Sequence, residues 1–481
     1  MSSNKAGRSS LTVPLLAALL IMAGIAGLVW LATSCTHSPD PTSAPPATHT
    51  PTLAAAAEAT PTLRAVAAAT QTPTTAPTLA ATATATLIPA TSTATATPVP
   101  PTATPAPTDT LAPTATPVPP TDTPTAAPTP TVPPPVAKPA RLNSPEYGMQ
   151  AFLWWRPEVA SRDLQMIRAA GFTWVKQDFA WREVEGAAKG VFDWSRTDRI
   201  VEDCNREGID LLVRLDRQPH WARRDDAENG PPDNYQDFAD FCYAVASRYR
   251  GRIRAYSIWN EPNLAREWGG QKPNPAEYVR LLRVAYQAIK RADPNALVIS
   301  AGLTPTGTWT EEATPDDMYF DQMYQAMGGR SEGYCDLIGL HAPGYKAPPE
   351  ASPDEVAQNP TWGQQRFFCF RHVEDMRAIM LKYGDGDRQV AILEFGWTSD
   401  PVNPSYSWHR VSEEEKADYL VRAYRYAKAN WSPWIGLMSL IYMVNPDWTE
   451  ADEEYWWAIN YPSYPEFKPR PAYEALKAMP K

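Results

Sequence analysis

Two glutamates lie where predicted apolar strands end, and their positions suggest acid–base chemistry. Glu261 follows the apolar run 253–259. Glu394 comes directly after Ile392 and Leu393. A carboxylate at the end of a buried strand is costly unless it is paired or used in a reaction. When two carboxylates face each other, one with a raised pKa can donate a proton while the other stays ionised and attacks. This division of roles is what cleavage of a glycosidic bond requires.

The elements that must position these glutamates form a regular pattern, in which short apolar runs alternate with amphipathic stretches. We predict strands at 147–154, 173–178, 209–215, 253–259, 297–303, 336–341, 389–395 and 435–444. We predict helices at 161–170, 196–207, 237–249, 275–291, 316–327, 364–383, 412–430 and 471–479. Regular alternation implies a parallel sheet, and eight such units imply a closed (β/α)8 TIM barrel. A doubly wound open sheet is the alternative, but it usually has fewer strands, and the sequence has neither a G-x-G-x-x-G nor a Walker A loop.

The C-terminal ends of all eight strands of such a barrel open on one mouth, where the chemistry of these folds takes place. The predicted fourth and seventh strands therefore bring Glu261 and Glu394 to the same rim. If both act directly on a sugar, their carboxyl groups should lie about 5–5.5 Å apart, the separation that retains the anomeric configuration.

Composition divides the chain into three parts, of which only residues 141–481 can form a large core. Residues 35–140 contain no Gly, Phe, Trp or Tyr and hold 25 of the 51 prolines, with Thr and Ala supplying most of the rest. Such a segment cannot bury enough apolar surface to offset its ordering entropy, so we predict a disordered, extended stalk. The formal net charge of −10 belongs entirely to residues 141–481, and an acidic body argues against a nucleic-acid partner.

Residues 1–34 are predicted to be an export or anchoring signal. Two basic residues precede an uncharged run from Leu11 to Ala32, which would span roughly 33 Å as a helix. The positive flank stays in the cytoplasm, which places the rest of the chain outside. The four residues that end at Cys35 are similar to a bacterial lipoprotein cleavage site, so an uncleaved membrane helix and a lipidated Cys35 both remain open. Either anchor predicts an extracytoplasmic, membrane-tethered protein at the cell surface.

The other cysteines and the histidines give no sign of a metal or redox centre. Four cysteines in the body could form two disulfides outside the cytoplasm, although two of them fall in predicted helices, where free buried cysteine is common: Cys204, Cys242, Cys335 and Cys369. No C-x-x-C, His-Glu-x-x-His or Gly-x-Ser-x-Gly motif occurs, which argues against a zinc ribbon, a zinc hydrolase or a serine esterase. We therefore expect no cofactor and no metal.

Trp-Asn-Glu-Pro at 259–262 resembles the acid/base motif of clan A glycoside hydrolases. The sequence after it is most similar to family 39, with family 5 next, and Glu-Phe-Gly-Trp at 394–397 resembles the nucleophile strand of the clan. Segments of the second βα unit and of the loop after the third strand are also similar, so the resemblance covers nearly all of 145–478. It implies that Glu261 is the general acid/base and that Glu394 is the nucleophile of a retaining glycosidase.

The resemblance also implies a set of sugar-binding residues around the two glutamates. Asn260 would hydrogen-bond the sugar 2-hydroxyl, and His341 is similar to the His/Tyr position near the nucleophile, with a purely structural histidine as the alternative. Trp448 would stack under the sugar, although Trp456 and Trp457 compete for that role. Three residues after the first two strands would line the groove or pack at its rim: Trp154, Asp178 and Trp181.

Two positions depart from family 5, whose members typically have an Arg near the second strand and a His near the third. The residues near those strand ends in this chain are Lys176, Asp178, Asp216 and Arg217. Arg217 and His220 are candidates to substitute for the missing pair. The departure favours the family 39 side of the resemblance.

We expect a carbohydrate substrate, a monomeric catalytic domain and cleavage of O-glycosidic bonds by double displacement. One alternative is a transglycosylase, which differs only in whether a sugar or water accepts the glycosyl unit. The other is a non-catalytic carbohydrate-binding barrel at the cell surface. Loss of either Glu261 or Glu394 would have indicated that barrel, and both glutamates are present.

Overall fold

Eight parallel strands close into a barrel in the structure, a computed structural model that describes residues 141–225 and 227–481. The strands are β1 (Glu146–Gln150), β2 (Trp174–Asp178), β3 (Asp210–Leu215), β4 (Ala255–Ile258), β5 (Leu297–Ser300), β6 (Leu337–His341), β7 (Gln389–Phe395) and β8 (Ile435–Leu440). Each strand pairs with the next one along the chain, and β8 closes the barrel on β1. This arrangement confirms the (β/α)8 TIM barrel that the sequence predicts.

The α-helices surround the barrel or lie in the loops at its ends. They are α1 (Pro157–Ala169), α2 (Trp181–Val184), α3 (Ser195–Glu207), α4 (Tyr235–Arg248), α5 (Pro275–Ala292), α6 (Asp316–Ala326), α7 (Pro353–Gln358), α8 (Val373–Lys382), α9 (Pro404–Ser407), α10 (Glu413–Asn430), α11 (Glu453–Trp457) and α12 (Pro471–Ala478). A short antiparallel pair, β9 (Asn460–Tyr461) and β10 (Lys468–Pro469), precedes the last helix.

Local capping explains why the predicted bounds of α3, α5 and α10 hold to within one residue. The Asn274 side chain accepts hydrogen bonds from the first turn of α5. Ser412 and Glu415 form a capping box at the start of α10. Gly208 ends α3 with a left-handed φ of 68°, a conformation that glycine adopts without steric cost. These are sequence signals that act within a few residues, so no tertiary information is needed to find them.

The barrel interior is apolar at its base and polar toward the mouth. The base is a cluster of buried apolar side chains: Leu142, Trp174, Leu212, Ala255, Leu297, Ile299, Leu337, Ala391, Leu393 and Leu437. Successive side chains of a strand point to opposite faces, so positions two residues apart share a face. Above Trp174 and Leu212 the next inward positions on β2 and β3 are therefore Lys176 and Arg214. Both of these cations are buried inside the barrel, directly below the mouth.

A second apolar cluster, which we name the mouth cluster, is built largely by the loops after β6, β7 and β8. Its buried members are Phe152, Tyr345, Ala347, Ala351, Val356, Phe368, Cys369, Tyr406, Ile441, Tyr442, Val444, Trp448, Tyr455, Trp457 and Ala458. Long loops on the C-terminal side of a barrel supply the walls of its active site. The mouth cluster therefore gives one side of the opening a rigid, water-excluding wall.

The predicted helix at 364–383 is wrong in its first half, because α8 begins only at Val373. The chain before it passes through positive φ angles of 88° at Gly363 and 56° at Gln364. These turns bring Phe368 into the mouth cluster. Phe368 and Cys369 are apolar because they belong to the mouth cluster. In the sequence, the spacing of the apolar residues at 364–372 resembles that of an amphipathic helix.

The four cysteines of the body are buried and free in the described residues, so the two disulfides that the sequence allows are not formed. Within residues 141–225 and 227–481, no helix combines the length and apolar character needed to cross a bilayer. The predicted signal at 1–34, with Cys35 beyond it, and the stalk at 35–140 lie outside the described residues and remain predictions.

Candidate active site

Glu261 lies at the barrel mouth because the chain turns sharply after β4. Trp259 and Glu261 have positive φ angles of 70° and 38°, a left-handed region that non-glycine residues rarely adopt. The turn is held by the Glu261 N–H, which donates to the Gly302 carbonyl at 3.1 Å. The Glu261 side chain is 0% exposed, and burial raises the pKa of its carboxyl although the Arg266 charge offsets part of that effect.

Glu394 reaches the same mouth because β7 contains a bulge. Simple alternation along β7 would place Glu394 opposite to Leu393, which belongs to the interior base. The register to β6 shifts between Leu340 and His341, so that one extra residue stands on β7 and His341 pairs with Glu394. A bulge of this kind turns the following side chain to the other face. The side chains of Leu393 and Glu394 therefore both point into the barrel.

His341 stands between the two carboxylates. Its Nδ1 lies 3.1 Å from Oε1 of Glu261 and 3.9 Å from Oε2 of Glu394. The sum of these two distances means that the two carboxylate oxygens are at most about 7 Å apart. The ~5–5.5 Å separation of retaining glycosidases lies within this upper limit. Gly302 makes room for the ring, because a Cβ at that position would lie 2.1 Å from Cδ2 of His341. Burial lowers the pKa of His341 to about 4, so the imidazole is neutral at pH 7.

One oxygen of Glu394 is paired with a cation and the other has no hydrogen bond. Lys176 Nζ donates to Oε1 at 2.5 Å, and both side chains are buried. Burial lowers the pKa of the Lys176 ammonium, while the Glu394 carboxylate acts in the opposite direction. In the part of the chain that the structure describes, Oε2 of Glu394 is buried without a hydrogen-bond partner. That oxygen is therefore available to a ligand.

Arg214 connects the polar groups of the barrel interior. Its guanidinium makes ion pairs of 2.8 Å with both Asp178 and Asp216. It also lies 3.4 Å from Oδ1 of Asn260 and 3.9 Å from Oε1 of Glu394. Burial opposes the charge of Arg214, but the surrounding carboxylates raise its pKa well above the ordinary value. Arg214 therefore contacts both Asn260, the neighbour of Glu261 in the sequence, and Glu394.

The two aspartates beside Arg214 titrate in opposite directions. Burial opposes the charge of Asp178, yet Arg214 and Arg217 hold its pKa below the ordinary value. Burial, together with the neighbouring Asp178 charge, raises the pKa of Asp216 to about 7. Asp178, which the sequence places in the groove, is thus a buried partner of two arginines at the floor of the mouth.

Trp448 lies in the mouth cluster, buried against two other aromatic rings. Its ring centroid is 4.7 Å from that of Phe152 and 5.1 Å from that of Tyr442. Burial, followed by the charges of Glu454 and Glu394, raises the pKa of the Tyr442 phenol well above the ordinary value. Trp448 is therefore buried beside a tyrosine that feels the charge of Glu394, and its role under a sugar stays a prediction.

Two of the predicted groove residues are core residues. Trp181 stacks on Phe241 with ring centroids 5.4 Å apart, and its indole N–H donates to Glu185 at 2.6 Å. Trp154 is buried in the same core, with its ring 5.9 Å from that of Phe179. Of the two alternatives for these tryptophans, the structure therefore favours packing over lining the groove, because α2 and the loop after β1 bury both rings.

Arg217 and His220, the proposed substitutes for the family 5 Arg and His, lie in different surroundings. His220 is exposed in the short 3-10 helix His220–Ala222 and contacts neither glutamate. Arg217 lies 3.8 Å from Asp178. The cations that contact Glu394 are Lys176 and Arg214.

Sequence reasoning overlooked Arg214 and Arg266, and only Arg214 left a usable signal. It interrupts an otherwise apolar strand and stands two residues before Asp216, so both side chains belong on the inward face. Arg266 contacts Glu261 from the short 3-10 helix Ala265–Glu267, which no hydrophobic periodicity in the sequence predicts. Among the described residues, no group of three His, Cys, Asp or Glu side chains is arranged to hold a metal ion.

Comparison with known proteins gives a partial family match. Residues 137–329 match the family model described as Cellulase (glycosyl hydrolase family 5). The matched segment includes Glu261 and ends before Glu394. A comparison with curated proteins gives no match.

Solved structures share the barrel at low sequence identity. A family 39 glycoside hydrolase from the gut symbiont Bacteroides cellulosilyticus WH2 is 20% identical with a TM-score of 0.50, and the match covers 71% of this chain and 64% of that one. This chain thus spans just under two thirds of that protein. A glucosidase from Croceicoccus marinus is 14% identical with a TM-score of 0.50, covering 72% of this chain and 68% of that one. Residues 137–329 are thus similar to a family 5 glycosyl hydrolase model, and the solved structures share the barrel fold.

Proposed function

We propose that the protein is a retaining glycoside hydrolase that cleaves O-glycosidic bonds of an oligo- or polysaccharide. Glu261 would be the acid/base and Glu394 the nucleophile. The observation that carries this proposal is the pair of buried carboxylates on either side of His341, in unlike surroundings. Glu261 has a raised pKa, whereas Glu394 is paired with Lys176. Unlike environments assign unlike roles to two carboxyl groups of one site.

In the first step, Oε2 of Glu394 attacks the anomeric carbon of the bound sugar. The bond from that carbon to the leaving oxygen breaks, and the proton of Glu261 moves to the leaving oxygen. The products are a free alcohol and a glycosyl ester of Glu394. Lys176 and Arg214 hold the attacking carboxylate in place beforehand, which lowers the cost of reaching the transition state.

In the second step, a water molecule attacks the same carbon from the side that the alcohol has left. Glu261, now ionised, takes the proton of the water, and the ester bond to Glu394 breaks. Two inversions at one carbon retain the anomeric configuration. Asn260, which contacts Arg214, would hydrogen-bond the sugar 2-hydroxyl beside the reacting carbon.

The proposal is tested with the full chain on a panel of aryl glycosides and polysaccharides. We expect hydrolysis of at least one β- or α-glycoside with retention, read by NMR from the anomer formed first. Formation of the inverted anomer would contradict double displacement. Binding of glycans without any turnover would favour the non-catalytic barrel, and products longer than the substrate would favour the transglycosylase.

Glu261→Gln is expected to slow hydrolysis of glycosides with poor leaving groups by about 10²–10⁴-fold, because an amide cannot donate the proton. Glycosides with a dinitrophenol leaving group need no protonation, so their ester should form at close to the normal rate and then accumulate. Added azide should release it, since azide attacks without a general base. Steady-state and burst kinetics measure both effects.

A matched control for this variant is Glu311→Gln, in the neighbouring loop. Its side chain is 80% exposed and pairs only with Lys272 on the surface. We expect its rates to stay within a few-fold of normal, as for surface substitutions. Equal losses on poor and good leaving groups in Glu261→Gln would refute the acid/base role.

We also propose that a membrane anchor within residues 1–34, or a lipid on Cys35, holds the barrel outside the cytoplasm on the 35–140 stalk. The proposal is tested by expression in a bacterium with a labelled fatty acid, comparing the normal chain with Cys35→Ser. Label lost in Cys35→Ser would support the lipid, and unlabelled chain that still pellets with membranes would support the helix. Chain found in the cytosol would contradict both.

A further inference from the structure

Arg266 is placed against the carboxyl group that must act as the acid. It lies in the 3-10 helix Ala265–Glu267, directly beyond the turn that carries Glu261. Its Nη2 donates to Oε2 of Glu261 at 3.2 Å. The other oxygen of Glu261, Oε1, contacts Nδ1 of His341 at 3.1 Å. Both oxygens of the acid thus have a partner, and of these two partners only Arg266 is charged at pH 7.

The two partners of Glu261 differ in their freedom to move. His341 is 3% exposed and wedged against Gly302, where even a Cβ would collide with its ring. The Arg266 side chain is 33% exposed, at the solvent end of the contact. A long arginine side chain with a solvated head can change rotamer at little cost. Arg266 is therefore the partner that can leave.

A second carboxylate is ready to receive Arg266 when it moves. Oε1 of Glu267 lies 3.8 Å from Arg266 Nε. Glu267 is itself buried, and it is fixed by Asn229, whose side-chain amide donates to it at 2.5 Å. Burial, followed by the Glu261 charge, raises the pKa of Glu267, and the Arg266 charge already opposes that effect. When the Arg266 guanidinium leaves Glu261, it can therefore stay paired with Glu267.

We propose that Arg266 is a positioning residue that keeps Glu261 ionised until the leaving-group part of a substrate displaces the guanidinium from Oε2, whereupon Glu261 takes up a proton from solvent and becomes the acid. This inference rests on the proposed glycosidase function. A neighbouring cation favours the charged form of a carboxyl group, and its removal in a buried site favours the protonated form. Substrate binding and acid activation are linked in this way.

The test compares Arg266→Met with Arg266→Lys in the full chain, by the pH profile of kcat/KM on a glycoside with a poor leaving group. The acid works in its protonated form, so loss of the cation moves the alkaline limb upward, by about one pH unit or more. Arg266→Lys keeps the charge and should retain the normal limb. Arg422→Met, which removes a similarly exposed arginine from the outer helix α10, is the control for net charge.

Two outcomes would overturn the inference. One is an alkaline limb that stays in place in Arg266→Met, and the other is an equal shift in Arg422→Met. The pKa of Glu261 can also be read without turnover, by NMR titration of ¹³C-labelled glutamate with the signal assigned from Glu261→Gln. An unchanged Glu261 pKa in Arg266→Met refutes the inference. A raised one in a protein that hydrolyses no glycoside supports the electrostatic pairing and contradicts only the proposed function.

Discussion

Glu394→Gln is expected to lower kcat/KM by about 10⁴-fold or more on every glycoside, including those with good leaving groups. An amide carries no charge and is a poor nucleophile, so no choice of leaving group can restore the first step. The substitution keeps the volume of the side chain, and its oxygen can still accept from Lys176. It also removes the charge that pairs with this buried ammonium, so the free energy of unfolding should fall by up to about 3–5 kcal/mol. Steady-state kinetics measured well below the thermal unfolding transition of the variant separate the loss of activity from that loss of stability.

Covalent labelling separates this role from a structural one. A 2-deoxy-2-fluoro glycoside should add one glycosyl unit to the peptide that contains Glu394 in the normal protein, and none in Glu394→Gln. Glu185→Gln is the matched control, because Glu185 is comparably buried but pairs with Trp181 behind the barrel wall. A label on another residue, or more than about 1% residual activity in Glu394→Gln, would refute the assignment, since loss of a nucleophile costs far more.

Lys176→Met is expected to have the second largest effect, because it leaves Glu394 buried with Arg214 as its remaining cation at 3.9 Å. Removing one partner of a buried ion pair typically costs about 3–5 kcal/mol, so we expect the free energy of unfolding to fall by that amount. Lys176 also fixes the direction of the Glu394 carboxylate through its bond to Oε1. A misdirected carboxylate reacts more slowly, so kcat/KM should fall by about 10²-fold.

Lys416→Met distinguishes this electrostatic role from loss of stability alone. Lys416 is also a buried lysine paired with a glutamate, at 3.0 Å from Glu413, but it lies on α10 and contacts neither catalytic candidate. It should lose comparable stability in urea unfolding and keep the normal kcat/KM under conditions where both variants are folded. If both variants lose kcat/KM equally, Lys176 has no special connection to Glu394.

The strands and most outer helices follow from local sequence, whereas the mouth does not. Periodicity and caps identify α5 and α10 because the forces that define them act between residues three or four apart. The stretch at 364–372 departs from prediction because contacts with distant loops decide its conformation. The strand predicted at 435–444 likewise ends early, at Leu440, where the chain leaves the barrel to build the mouth cluster.

The two glutamates are recognisable in the sequence, but the way in which Glu394 faces inward is not. Strand alternation alone would point it away from the mouth, and only the bulge at Leu393, a product of pairing with β6, corrects this. For Trp181 the sequence shows an aromatic residue after a strand and leaves open which side it takes. Its ring is buried against Phe241, a contact between residues distant in the sequence that local patterns do not predict.

The two cations beneath Glu394 also bear on how long a glycosyl ester could last. Esterification would remove the negative charge of that carboxylate, while Lys176 and Arg214 would remain beside it. Uncompensated positive charge next to an ester pulls electrons toward the departing carboxylate and makes it a better leaving group. The same pairing that restrains the side chain before attack would thus speed its release, so the intermediate of the unmodified enzyme should be short-lived on natural sugars.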